Sequence, residues 1–389
     1  MWIEMIPKRG YYSKMKWLSC IFFVVSLLQV TISTLSLSSS TTLPDFMSYY
    51  DYSGKYLNGI NPYPSFNHPP ASLPFFALIH LFPFQLSQTL FTLLSLALIL
   101  LSSYLLMRRL IPNPAVQLFI LGILLQLFPT KLTLGSGQIN HYVLFFLVLS
   151  FLLDLSNKNI ASGLILAFAS ALKIIPLALL LYFLARKRYI TVLTTLIAFF
   201  LLNGAVKTQI NLSPLSLPSN NTSTFFQSDN AASIYDQSLR AFLTRLNSPL
   251  TFAIGGSLII TLLLYIGTIE QFKSKKAPDS YLKKLTLFST ILAITVMGNA
   301  YAWQHHYVYL YPALIAFSGY AYRLKRLWVW LIVILVSILI GFHFPDVDRL
   351  PSQNPFVLSH TLLGGLILVG VLLYLPHNEK SHPRTFPEI

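Results

Sequence analysis

Apolar runs recur along the whole chain, separated by short polar or basic links. A helix needs about 20 predominantly apolar residues to cross a bilayer. The runs predict a first helix at about 17–37 and further helices at about 86–107, 114–130, 140–155, 189–206, 249–269, 285–302, 307–322, 327–342 and 357–375. Residues 38–85 form a long first outer loop. In it, a short amphipathic helix at about 44–57 would hold Asp45 near the membrane surface. "ASLPFFALIHLFPF" is too short to span and carries two prolines, so it reads as a half-helix at the interface.

The stretch "IASGLILAFASALKIIPLALLLYFLARKR" has basic residues at both ends, Lys158 before it and Arg186–Arg188 at its close. One crossing would leave three basic residues on the outer side. Two short helices meeting at "LKIIP" keep both ends inside and put Lys173 near the outer side. Pro176 is a natural break, because it lacks an N–H and clashes with the preceding turn. The competing reading is one kinked helix with a snorkelling lysine. The total is 11 or 12 membrane helices. The expected fold is an all-α polytopic integral membrane protein, one domain over 1–389, with outer loops at 38–85 and 207–247.

Composition agrees. The chain is 54% hydrophobic and 10% charged, against roughly 25% charged in soluble domains. A net charge of +15 would suggest nucleic acid in a soluble protein. Here the basic residues gather between apolar runs, as the positive-inside rule requires, and no nucleic-acid motif is present. Lys8/Arg9/Lys14/Lys16, Arg108/Arg109, Lys158, Arg186–Arg188, Lys273/Lys275/Lys276/Lys283/Lys284, Arg323/Lys325/Arg326 and Lys380/Arg384 are assigned to the cytoplasm. "SLSSSTT" after the first run resembles a cleavage region, but the run is long for a signal peptide and reads as an uncleaved helix. The single cysteine, Cys20, excludes an intramolecular disulfide and a Cys-based zinc site.

That topology sorts the remaining polar residues. Asp45, Asp51, His68, Gln138, Asn140, His141, Lys173, Asp236, Gln237, Arg240, Arg245, His305, His306, His343 and Asp346 all fall at or near the outer face. Ionisable groups at the membrane are functional candidates by default. Each has a plainer local reading. Asp45 after a helix suggests an N-cap, "GSGQINHY" a polar hairpin turn, and Arg240 with Arg245 in "YDQSLRAFLTRL" a solvated amphipathic face. "WQHH" places two histidines where a helix leaves the membrane, about 100° apart if helical, so that they would not share a role.

Six segments in order resemble glycosyltransferase family 87, the polyprenol-phosphate-mannose-dependent α-(1,2)-mannosyltransferase-like enzymes of the GT-C superfamily. They are "DFMSYYDYSGKYLNGINPY" (45–63), "HPP" (68–70), "GQIN" (137–140), "GLILAFASALKIIPLALLL" (163–181), "DQSLRAFLTR" (236–245) and "WQHHYVYLYPAL" (303–314). The chain departs from the family pattern at His68, usually Tyr, at Asp236, usually Asn, and at Gln304, usually acidic. The family's catalytic aspartate maps onto Asp45 and its paired histidines onto His305 and His306.

The resemblance implies a hexose, mannose in this family, transferred from a polyprenyl-phosphate donor to a hydroxyl of a glycan or glycolipid on the outer face of the plasma membrane. A sugar hydroxyl is a poor nucleophile and needs a carboxylate base; Asp45 is the candidate, with Asp51 as the fallback. The phosphate leaving group needs cations, for which Lys173, His305, His306, Arg240 and Arg245 are candidates. No cofactor or metal is required, and one in-line attack inverts the anomeric centre. Asp51, Tyr63, His68, Gln138, Asn140, Gln237 and Trp303 are candidates for sugar or acceptor binding. Tyr49, Tyr50, Tyr52 and Tyr307 could also stack on sugars, or serve only as an interfacial aromatic belt. The competing functions are a polyprenyl-linked glycan flippase or transporter, and an O-antigen-type polymerase or ligase.

Overall fold

A computed structural model describes residues 9–63, 65–210, 235–273, 280–343 and 354–378. Lys8, Lys275, Lys276, Asp346, Lys380 and Arg384 lie outside the described residues.

The chain begins with α1 (Arg9–Ser40), longer at both ends than its apolar run. α2 (Pro44–Leu57) falls where the amphipathic pattern placed it. Its N-cap is Leu43, with proline at the first helical position and Asp45 in the first turn. Asp45 is therefore not the cap; a carboxylate in a first turn is favoured by the helix dipole. The half-helix is three short pieces: a 3-10 turn at Pro70–Ser72, α3 (Leu73–Ala77) and a second 3-10 turn at Leu78–Leu81. α4 (Phe84–Met107) follows.

The apolar run at 114–130 predicts one straight helix. The chain instead makes α5 (Pro114–Gln126) and α6 (Phe128–Ser136), bent by 56°. Pro129 enters at the start of α6, where its missing N–H costs nothing, and it prevents α5 from running on. After α7 (Asn140–Leu155) comes the broken pair: α8 (Asn159–Leu172), an extended Lys173, a 3-10 turn at Ile175–Leu179 and α9 (Leu180–Ala185). Then come α10 (Tyr189–Gln209), α11 (Leu239–Arg245), α12 (Leu250–Lys273) and α13 (Tyr281–Gly298). A 3-10 segment, Gln304–Leu310, leads into α14 (Tyr311–Leu324), followed by α15 (Leu327–Gly341), α16 (Pro355–Leu358) and α17 (His360–Asn378).

Among the described residues, five helices are long and apolar enough to cross a membrane: α1 from Lys16, α4, α10, α12 to Phe272, and α13. The bent α5–α6 pair makes a sixth. Of the other expected crossings, α7, α8, α15 and α17 to Leu375 are apolar but shorter. α13 is the inner helix, with Phe288, Ile291, Leu292 and Ile294 wholly buried. α10 and α12 instead present large apolar side chains outward, with Phe200 68% and Phe252 73% exposed. Apolar residues outside a packed bundle are what a lipid solvent requires. The chain is an all-α polytopic membrane protein.

The broken pair defines the two ends of the bundle. Its outer arms meet again at one end. Asp154, wholly buried at the close of α7, receives the Arg186 guanidinium and Arg188 Nε at 3.0 Å, and the Tyr182 hydroxyl donates to it at 3.2 Å. Arg188 also donates to Asn157 at 2.8 Å. So 154–158 and 186–188 sit together, as the charge pattern predicts, and the single kinked helix is ruled out. Removing one partner of such a buried pair costs about 3–5 kcal/mol. Asn140 begins α7, fourteen residues before Asp154, or about 20 Å away along the axis. Lys173, at the break, lies at this second end.

Candidate active site

The second end is assembled from the first loop, the α6–α7 turn, the α8–α9 break and the 3-10 segment after α13. The turn is built on Gly137, which caps α6 in the left-handed conformation at φ +71. A Cβ there would stand 2.6 Å from the Phe46 Cβ and 3.2 Å from the Phe46 backbone nitrogen. Glycine therefore lets α2 lie directly on the turn. Ser136 and Gln138 consequently lie beside the Asp45 carboxylate and favour its charged form. Tyr49, one turn further along α2, donates to the Gln138 side-chain oxygen Oε1 at 2.8 Å.

A second support comes from Gln88, wholly buried on α4. It accepts from the Leu43 N–H at 2.9 Å and donates to the carbonyls of Ser38 and Thr41, both at 2.8 Å. One amide thus ties the end of α1 to the start of α2, two residues before Asp45.

Lys173 takes the centre. Its ammonium donates to the Asn140 side-chain oxygen at 2.7 Å, which also accepts from the Tyr309 hydroxyl at 3.1 Å. The Asn140 amide nitrogen donates to the His305 carbonyl at 3.1 Å. Asp45, His68, His305 and His306 all lie within electrostatic reach of Lys173. The two imidazoles contact edge to face, 4.4 Å apart at 79°. They stand on a 3-10 segment, where successive residues turn by about 120°, not on the α-helix the sequence suggested. His305 is half-buried and His306 is buried.

His68 reaches the same place from the first loop. Its Nδ1 contacts the Leu172 carbonyl at 2.8 Å, the peptide just before Lys173, and its own carbonyl accepts from Tyr63 at 2.6 Å. The contact to a carbonyl makes Nδ1 the protonated nitrogen of the neutral ring. Burial first, and then the charge of Lys173, lower its pKa to about 4. For Asp45 the balance runs the other way. Burial raises the carboxyl above its ordinary range, while Ser136, Lys173 and Gln138 pull it down.

The structure thus brings Asp45, His68, Gln138, Asn140, Lys173, His305 and His306 together, with Tyr63 behind His68. Asp51 stays apart; it is exposed on α2. Arg240, Arg245, Gln237 and Trp303 form a neighbouring network. Asp236 pairs antiparallel with Trp303, and its carboxylate accepts from the Ser238 and Ala302 N–H groups and from Arg240 at 3.1 Å. Arg240 also lies over the Tyr301 ring at 4.4 Å and is 2% exposed, so the solvated amphipathic face is wrong. Arg245 donates to the Asp236 carbonyl and to Ser359 at 2.7 Å. Both ends of the Gln237 side-chain amide are engaged: its nitrogen donates to the Leu358 carbonyl at the end of α16 at 2.8 Å, and its oxygen accepts from the Leu362 N–H in the first turn of α17 at 3.3 Å. Asp236, Gln237 and Arg245 therefore fasten the 3-10 segment and α17 beside the histidines.

Ser136, Tyr309 and Gln88 were missed from the sequence. Ser136 stood in the quoted glycine turn and was legible there. The partners of Tyr309 and Gln88 are remote in sequence, so nothing local marked them.

A comparison with curated proteins returned no match. The profile of glycosyltransferase family 87 matches residues 66–297, more than half of the 389-residue chain. The match takes in His68, Gln138, Asn140, Lys173, Arg240 and Arg245; Asp45 lies before it and the two histidines after it. With an all-α membrane bundle, and carboxylate, ammonium and imidazole groups gathered at one end, the chain belongs to glycosyltransferase family 87.

Proposed function

We propose that this membrane glycosyltransferase transfers a hexose, mannose on its resemblance, from a polyprenyl-phosphate donor to a hydroxyl of a glycan or glycolipid acceptor. The reaction takes place on the outer face of the plasma membrane. The observation that carries this reading is the convergence of Asp45, Lys173 and His305 from three separate segments at the end of the bundle opposite the Arg186–Asp154 pair.

Asp45 takes the proton of the acceptor hydroxyl as the new glycosidic bond forms. The bond from the anomeric carbon to the phosphate oxygen breaks, and its electron pair leaves with the phosphate. Charge develops on that oxygen, where Lys173 and the half-buried imidazole of His305 receive it, with the buried His306 packed edge-on against His305. One in-line displacement inverts the centre, so a β-linked donor gives an α-linked product. A raised carboxyl pKa makes Asp45 a stronger base than a solvated aspartate. His68, Gln138 and Asn140 orient the sugars, and Arg240 and Arg245 hold the 3-10 segment in place. The positive charge for the leaving group comes from the protein, so no metal or cofactor is needed. The lipid tail follows the apolar outer surface of the bundle.

The flippase reading has less support. Transporters place their polar sites near the bilayer midplane, whereas these groups sit at helix ends. The test is to supply purified protein with polyprenyl-phosphate-mannose and a glycolipid acceptor in the presence of a chelator. An α-linked product by NMR is expected. A β-linked product, or turnover abolished by the chelator, would contradict the mechanism.

A further inference from the structure

Beside the histidines, four rings stand in a row. Phe128, at the start of α6, stacks on His343 at 3.9 Å and 1°. His343 faces Tyr235 at 6.0 Å and 29°, and Tyr235 faces Trp303 at 6.2 Å and 28°. Tyr235 and Trp303 remain 41% and 36% exposed. Aromatic side chains of an interfacial belt anchor singly in the headgroup region. These rings instead stack in sequence, and Tyr235 and Trp303, inclined by 28°, are held on a fixed backbone. Asp236 and Trp303 form a bridge, Gln304 N–H donates to the Tyr235 carbonyl at 3.2 Å, and His306 N–H donates to the Trp303 carbonyl at 2.8 Å.

The row adjoins the proposed reaction centre and extends away from it. Trp303 stands two residues before His305. Phe128 lies at the far end of α6 from Ser136, the residue beside Asp45, about 12 Å along the helix axis. A pyranose presents C–H groups on one face, and an aromatic face carries the complementary negative potential. The exposed Tyr235 and Trp303 form a preformed ledge for such a face, with Phe128 and His343 stacked on one another behind it.

We propose that Trp303 and Tyr235 bind the acceptor glycan by stacking on a sugar unit remote from the hydroxyl under attack. This rests on the transfer reaction proposed above. An acceptor glycan is favoured over the donor's lipid tail because the ledge is held by backbone hydrogen bonds two residues from His305, whereas a polyprenyl chain asks only for apolar surface.

The experiment measures binding apart from turnover. Full-length protein in detergent is probed by saturation-transfer NMR with mannotriose, maltotriose and cellotriose, and separately with farnesyl phosphate. At least one trisaccharide is expected to bind. Trp303→Ala and Tyr235→Ala should each weaken it about tenfold, Trp303→Phe should keep most of it, and farnesyl phosphate binding should stay unchanged. Failure of all three sugars to bind, or binding unchanged in both alanine variants, overturns the proposal. Loss of farnesyl phosphate binding in those variants overturns it too, by assigning the ledge to lipid. Turnover plays no part in these readings, so a failure of the ledge is distinguishable from a failure of the transfer reaction.

Discussion

Lys173 and Asn140 meet at 2.7 Å across 33 residues of chain, and the Asn140 amide passes the contact on to the His305 carbonyl at 3.1 Å. The break in the α8–α9 pair, the start of α7 and the 3-10 segment are thereby joined through one carboxamide. That carboxamide fixes where a half-buried ammonium stands relative to two imidazoles.

Replacing Lys173 tests whether its charge serves chemistry or packing. Lys173→Met removes the ammonium and leaves Asn140 with the Tyr309 hydroxyl at 3.1 Å. Turnover should fall about 100- to 1,000-fold, the usual effect of losing one preorganised charge-stabilising group. Lys173→Arg should recover part of it. Initial rates with labelled donor give the answer, and a fall confined to KM would show that the lysine only binds.

Two glycines share a left-handed backbone and differ in what surrounds them. At Gly137, with φ +71, an added methyl group would stand 2.6 Å from Phe46, whereas Gly59 has φ +70 and nothing within 4 Å. Both alanine variants carry the backbone strain, about 1–3 kcal/mol. Only Gly137→Ala should also push α2 away and lower kcat. Thermal melting and initial rates, compared between the two variants, separate strain from displacement.

Sidedness follows from the two ends of the bundle. In a Cys20→Ala background, Ser48→Cys on α2 and Lys158→Cys beside Asp154 should label with an impermeant maleimide from opposite faces of sealed vesicles. Labelling of both from one face would contradict the placement of the site on the outer side.

Much of this arrangement was legible in the sequence. α2 was placed at its observed bounds because proline, aspartate and the amphipathic pattern agree over 44–57. The broken pair was legible because charge at both ends of one apolar stretch admits few topologies. The α5–α6 bend was equally legible at Pro129 and was passed over, since the apolar run continues through it. The buried arginines were not, because their partners at Ser359 and Tyr301 are set by tertiary structure. A short basic helix looks solvated until those partners are known.

The pH dependence of stability has a definite sign at Asp45. Burial raises its folded-state pKa above the ordinary 3.8. The folded protein then binds more protons than the unfolded chain between those two values, so stability falls as pH rises through that window. At neutral pH the ionised carboxylate is a cost. Asp45→Asn should therefore raise Tm at neutral pH, with a gain that shrinks on acidification through the raised pKa. Melting curves in detergent across that range check it; a lower Tm for the variant at neutral pH would contradict the assignment.

The most direct test is the turnover of Asp45→Asn with polyprenyl-phosphate-mannose, measured beside its affinity for that donor. Loss of a general base predicts turnover reduced by about 100-fold or more, with donor affinity within about threefold of the parent. Turnover within about threefold of the parent would show that Asp45 is not the base.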